Sequence, residues 1–320
     1  MANAQRNLII FNESSGNPII RELEQLGFEV VTNLWHPSTV QLERLFLAWI
    51  YFYDCIKHPR KVAQLRLQLQ QQAPLVAWNR DAPSYKGRAS WKIRLASWRK
   101  PLDIYMSHSL ADGLQFGQQQ LYLPNAVDAL RYNLHGHTLS ELRHASRYKF
   151  DVSFFGGLDG LHHKGQRKRQ IFFAALAKRL DALHISHHFF DGKGLSVQKQ
   201  IECIQHSRIN LQFGATCEYP EHQAGGLPER CFGVPACGGF LLADQRYHTA
   251  EDFTQGINYV EFSSIDECVD RIRYYLQHFD LARDIAEAGH AHVLAQHTYA
   301  HRAEQVIAAV AHWRNTTPST

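Results

Sequence analysis

The feature that most limits the fold is an alternation of short apolar runs with amphipathic helical stretches, begun twice along 320 residues. "NLIIF" (Asn7 to Phe11) is closed by "NESSGN", then come a helix-like "PIIRELEQLG" and the run "FEVVTN". That is strand, turn, helix, glycine stop and strand, the opening of an α/β unit. Two amphipathic helices are predicted next, over Ser38 to Ile56 and about Arg60 to Gln72. Strands return at "PLVAW", "LDIYMS" and "QLYLP", with a helix in "SYKGRASWKIRLASWRKP" between the first two. The polar, His-rich "NLHGHTLSELRHASRYK" then interrupts the pattern, which restarts at the strand "DVSFFGG" (Asp151 to Gly157).

After that restart come a basic loop "LDGLHHKGQRKR", a helix "QIFFAALAKRLDAL", a strand "HISHHFF", a helix "SVQKQIECIQH" and a strand "RINLQF". The strand "GFLLAD", a short helix at "TAEDF", the strand "NYVEF" and three closing helices complete the chain. The expected fold class is therefore α/β, with two Rossmann-like domains of parallel, helix-covered sheets facing across a cleft. Their expected bounds are 1–140 and 141–297, with 298–320 a helix packing back across the junction.

Composition narrows the function only loosely. A formal net charge of +4 fits an anionic ligand without demanding nucleic acid or a membrane. Six scattered cysteines, with no CxxC pair, favour a reducing compartment. The apolar run of "MANAQRNLIIF" is too short for a signal peptide. The most apolar long segment, "VQLERLFLAWIYFYDCI", contains Glu43, Arg44 and Asp54 and reads as a buried helix rather than a membrane span. The location expected is cytoplasmic.

The chemistry is expected around "AGGLPERCFGVPACGGFLLAD". Gly225 and Gly226 allow close backbone approach and Pro228 suits the first position of a helix. Free N–H groups of the turn, with Leu227 inside it, would face an anion such as a diphosphate, and Arg230 would add a charged fork. Gly238 and Gly239 end the helix and launch the strand. A plain pair of helix caps explains the same glycines equally well.

From these residues onward the chain resembles the glycosyltransferases of the GT-B fold, most closely the CgeB-like (spore maturation protein) group. The resemblance rests on "RCFGVPACGGFLLAD", "TAEDFTQGINYVEF" and "DECVDRIRYYLQHFDLARDIAEAGHAHVLAQHTYAHRAEQV", with weaker echoes in "VAWNRDAP", "LYLPNAVD" and "DVSFFGG". It implies an enzyme that moves a sugar from a nucleotide-diphosphate donor held by the C-terminal domain to an acceptor held by the N-terminal one. It implies no cofactor beyond that nucleotide-sugar and no metal. The family pattern R-x-F-E-x-x-A-C-G carries a Glu for the donor ribose where this chain has Gly233; Glu229, one helical turn earlier, is the candidate substitute. Alternatives are a nucleotide-sugar epimerase or hydrolase, or a binding module that has lost turnover.

Other candidates carry weaker patterns. Gly156 and Gly157 end a predicted strand, and the basic loop beyond them, with Lys164, Arg167, Lys168 and Arg169, can cradle phosphate. Asp81, in a strand-end loop, is the candidate acceptor-side carboxylate and base, with Ser14, Ser15 and Gly16 lining the acceptor side. His297 and His301 have a zinc-like spacing but no third ligand. The segment "KGRASWKIRLASWRK" holds six basic residues, no acidic ones, and Trp91 and Trp98 on one helix face. It could meet nucleic acid, lipid headgroups or an anionic glycan, or simply be a solvated face. The acceptor is therefore open between surface glycan, protein, metabolite and modified DNA, with a polyanion among the choices.

Overall fold

The structure, a computed structural model, describes residues 7–84, 89–158, 164–214 and 225–316, and no side chain of 164–166. It divides into two compact units, one of Met1–Pro124 with Tyr299–Thr320 and one of Asn125–Thr298.

The first unit is built on six strands, β1 (Leu8–Asn12), β2 (Glu29–Thr32), β3 (Leu45–Ile50), β4 (Leu75–Asn79), β5 (Leu102–Ser107) and β6 (Gly117–Tyr122). All pair in parallel, in the order β2-β1-β3-β4-β5-β6. Helices α1 (Ile19–Gln25), α2 (Thr39–Arg44), α3 (Asp54–Lys57), α4 (Pro59–Leu69) and α5 (Ser90–Arg99) connect them.

Strand β3 corrects the helix predicted over Ser38–Ile56. A helix does start at Ser38, whose hydroxyl accepts from the Gln41 N–H while the Gln41 side chain accepts from the Ser38 N–H, a capping box. It stops at Arg44, and Leu45 turns extended (φ −70°, ψ 125°). The residues that follow are the centre of a parallel sheet, paired with β1 on one side and β4 on the other. Such a strand is buried on both faces, so it reads as a continuous apolar run rather than as an alternation.

The second unit repeats the plan with β7 (Phe150–Phe155), β8 (His187–Phe190), β9 (Ser207–Gln212), β10 (Leu241–Asp244) and β11 (Val260–Phe262), all parallel, in the order β11-β10-β9-β7-β8. Its helices are α6 (Lys164–Ala182), α7 (Val197–Gln205), α8 (Arg230–Ala236), α9 (Thr249–Asp252), α10 (Ile265–Gln277) and α11 (Phe279–Gln296). Two apolar clusters cover its sheet, one around Phe154, Phe173 and Ile272, the other around Ile204, Phe232 and Tyr259.

The division falls at Pro124–Asn125, before the His-rich stretch rather than within it. That stretch is tied to the second unit: the Gln205 amide donates to Leu134 O, and Arg143 bridges Asp284 and Glu287 at 2.6 and 2.7 Å. Leu134, Leu139 and Leu142 close over Gly238, whose φ of +74° and crowded surroundings admit no side chain. The last helix, α12 (Tyr299–Thr316), belongs to the first unit, where it lies on α1 and Arg314 donates to Leu45 O and Phe46 O.

Candidate functional site

Both sheets reverse their winding at one point, between β1 and β3 in the first unit and between β7 and β9 in the second. In open α/β sheets that switch point, beyond the carboxyl ends of the strands, is where ligands bind.

In the second unit the switch point gathers positive charge. Arg169, on the first turns of α6, is 7% exposed and donates to Phe213 O at 2.8 Å, Gly157 O at 3.3 Å and Gly214 O, tying the ends of β7 and β9 together. Arg230, the first residue of α8, stands with its guanidinium carbon 4.2 Å from the Phe155 ring centroid and 4.9 Å from that of Phe154. Arg169 lies 5.2 Å from the same Phe154 ring. Burial first, then the Arg169 charge, press the Arg230 pKa below the usual arginine value. Among the described residues no carboxylate pairs with Arg230.

Glycines make this approach possible. A Cβ on Gly156 would lie 2.8 Å from Phe154 Cζ and 3.1 Å from Arg230 Nη2. Gly192, just past β8, donates to Gly156 O at 3.3 Å, and a Cβ there would sit 3.0 Å from Gly156 N. Gly225 and Gly226 are buried immediately before α8. Leu227 points its side chain into the apolar cluster, and its carbonyl accepts from Asn125 Nδ2 at 2.9 Å. The N–H groups of Cys231, Phe232 and Gly233 are consumed by Pro228 O and Glu229 O. Backbone donors from this turn would thus have to come from Gly225, Gly226, Leu227, Glu229 or Arg230, Pro228 having no N–H. Helix α8, seven residues long, contributes the side chain of Arg230 more than a dipole.

The remaining predicted donor residues divide by exposure. Arg167 is exposed on α6, whereas Arg169, two residues on, turns inward; residues 159–163 of the basic loop lie outside the described residues. Glu229 is exposed at the start of α8. Gly233 is buried, and among the described residues a Cβ there would meet Tyr132 Cδ1 at 4.0 Å, an ordinary contact, so the backbone admits a Cβ.

At the first unit's switch point lies a cavity of about 720 Å³ whose lining includes Asn12, Glu13, Ser14, Ser15, Tyr51 and Arg80. Glu13, which the sequence reading passed over, follows β1 and has a side chain 7% exposed. It accepts from Trp49 Nε1 at 3.0 Å, Asn17 Nδ2 at 3.3 Å and Arg80 Nη2 at 3.3 Å. Burial raises its pKa, against the pull of Arg80 and the N–H groups of Trp49 and Asn17. Arg80 also donates to the Tyr299 hydroxyl at 2.9 Å. Ser14 and Ser15 are exposed at the rim, Gly16 continues their turn, and Asp81 is half-buried with its N–H on Asn79 Oδ1 at 3.4 Å. Neither Gly16 nor Asp81 lines the cavity. The signal for Glu13 was its place directly after the first strand.

His297 pairs with His292 (Nε2 to Nε2, 3.2 Å), and both ring nitrogens lie within hydrogen-bonding distance of Asp252 O, at 3.2 and 2.6 Å. Among the described residues no group of three His, Cys, Asp or Glu is placed to hold a metal ion. No described helix is long and apolar enough to cross a membrane.

Residues 166–308 match the family described as Glycosyl transferase-like. No curated protein matches the chain. Among solved structures it is similar to a sucrose-phosphate synthase of Thermosynechococcus elongatus, at 11% identity and a TM-score of 0.63 over 98% of this chain and 100% of that one. It is similar to Anabaena HepE in complex with UDP and glucose, at 14% identity and a TM-score of 0.58 over 95% and 99%. An alpha-glucosyltransferase in complex with UDP-glucose and DNA containing an abasic site gives 10% identity and a TM-score of 0.50 over 95% and 98%. The chain has the α/β architecture of GT-B glycosyltransferases, and residues 166–308 are similar to a glycosyltransferase-like family.

Proposed function

We propose that the chain is a glycosyltransferase of the CgeB-like kind, moving a hexose or pentose from a nucleoside-diphosphate sugar to an acceptor hydroxyl without a metal ion. The observation that carries this is Arg230. It is a half-buried guanidinium on two aromatic rings, beside the buried Arg169 and the closely packed Gly156, with no acid among the described residues to balance it. A diphosphate supplies the missing charge, and its oxygens gain negative charge as the sugar departs, so Arg230 and Arg169 favour the transition state over the bound donor. UDP and UDP-glucose in the similar structures make a uridine donor the first to try.

The first unit's cavity suits the acceptor. Its charges are largely balanced, as expected for a neutral, hydroxyl-bearing ligand, and Glu13 is placed to take the hydroxyl proton if the reaction inverts configuration. Glu13 replaces Asp81 in that role because it lines the cavity.

The test is consumption of UDP-glucose and related donors, with and without acceptor extracts, in the presence of EDTA. Donor turnover that survives the chelator is expected. Loss of turnover with EDTA, restored by a divalent ion, contradicts the metal-independent mechanism; absence of any turnover leaves a binding module.

A further inference from the structure

The basic, aromatic segment singled out in the sequence forms a surface that neither switch point uses. Its described part is α5, which buries Ile93 and Ala96 and leaves Trp91 63% and Trp98 78% exposed. Seven residues apart, the two indoles lie on one side of the helix. Lys92, Arg94 and Arg99 are exposed on the same helix, which contains no acidic residue. Among the described residues no carboxylate pairs with any of the three. Exposed tryptophan is unusual, because its large apolar ring has much to gain from burial.

Beside α5 lies a groove of about 590 Å³, with a floor that includes Ile56, Val62, Leu95 and Ala96. The charged side chains that line it are Lys57, Arg66, Lys92 and Arg99, all cations; among the described residues Arg66 is the one of them paired with a carboxylate, Asp103 at 2.9 Å. No Ser, Thr, Asn, Gln, Tyr or His lines it. A groove whose floor is aliphatic offers nothing flat or polar for a base to stack on or pair with, whereas acyl chains and headgroup carbons fit it. Apolar floor, cationic rim and protruding indoles together match an amphiphilic surface whose headgroups are anionic.

We propose that α5 and this groove dock the protein on an anionic lipid bilayer, with Trp91 and Trp98 at headgroup depth and Lys57, Lys92, Arg94 and Arg99 over the phosphates. The inference stands whether or not the donor assignment is correct.

Flotation with phosphatidylcholine vesicles, alone and mixed with phosphatidylglycerol, tests it. Binding to the mixed vesicles only is expected, with a blue shift of tryptophan emission. Each cation near an anionic surface contributes about fivefold to affinity, so Lys92→Gln/Arg99→Gln is expected to weaken binding roughly twenty-fivefold. Trp91→Ser/Trp98→Ser should abolish the blue shift. All four side chains are exposed, and an unchanged thermal unfolding midpoint in both variants serves as the check on folding. The proposal is overturned if mixed vesicles do not bind, if neutral vesicles bind equally, or if neither double variant alters binding. A single-stranded oligonucleotide that binds through these residues when vesicles do not would identify a nucleic-acid surface instead.

Discussion

The two units share one strand order yet place opposite electrostatics at their switch points. At the end of β1 a buried acid meets a base: Glu13 faces Arg80 at 3.3 Å and is held by two neutral N–H donors besides. At the ends of β7 and β9 two guanidiniums lie over one phenylalanine ring; Arg169 donates to backbone carbonyls, and no carboxylate among the described residues pairs with Arg230. A half-buried guanidinium held against two aromatic rings, as Arg230 is, has most to gain from an anionic partner. The second site therefore favours an anionic ligand, while the first is complete in charge and suited to a neutral one. The fold supplies the location, and the side chains divide the labour.

The comparison breaks most visibly if Glu13 is not the base. Glu13→Gln is expected to lower turnover by roughly 10²- to 10⁴-fold while leaving donor affinity unchanged, measured by initial rates beside calorimetric donor binding. Equal losses in both would make Glu13 a structural residue. The pH profile gives the same test a direction. Glu13 accepts a proton only when ionised, and burial raises its pKa, so turnover should fall as pH drops through a value above the ordinary carboxylate range. That acid limb should disappear in Glu13→Gln.

Arg230→Ala attacks the other side. It removes a charge-assisted contact of about 1.5–3 kcal/mol, a loss of roughly ten- to hundredfold in nucleoside diphosphate affinity. Uridine, which has no phosphate, should bind the variant as it binds the parent.

A smaller change sharpens the picture of the donor site. Gly233→Glu restores the carboxylate of the family pattern where the backbone admits a Cβ. One added hydrogen bond of about 0.5–1.5 kcal/mol should tighten UDP by roughly two- to tenfold, but not 2′,3′-dideoxy-UDP. Equal tightening of both nucleotides would show that the ribose is not what the carboxylate meets.

How much of this was legible follows from what each residue's signal depends on. The alternation of elements was readable because helices such as α10 and α7 carry a clear apolar face. Strand β3 was not, since "LFLAWI" is buried on both faces, and a short apolar run has no period to separate strand from helix. Gly156 and Arg230 announced themselves by residue type and by position after a strand. Arg169 was named only within a basic run, because which of several consecutive cations turns inward is set by helix phase. Gly192 and Glu13 depend on contacts far along the chain: Gly192 matters through its crossing with Gly156, and Glu13 through Trp49 and Arg80. The place of Glu13 directly after β1 pointed to a site, but sequence spacing carries no trace of its partners.

The central claim is that Arg230 at the second switch point marks a diphosphate site. It is tested most directly by titrating the unaltered protein with UDP and with uridine in the presence of EDTA. The account predicts that UDP binds at least about tenfold more tightly, a difference of about 1.4 kcal/mol or more residing in the phosphates. Equal affinities for the two would contradict it, and Arg230 would then be only a stacked side chain closing the end of β7.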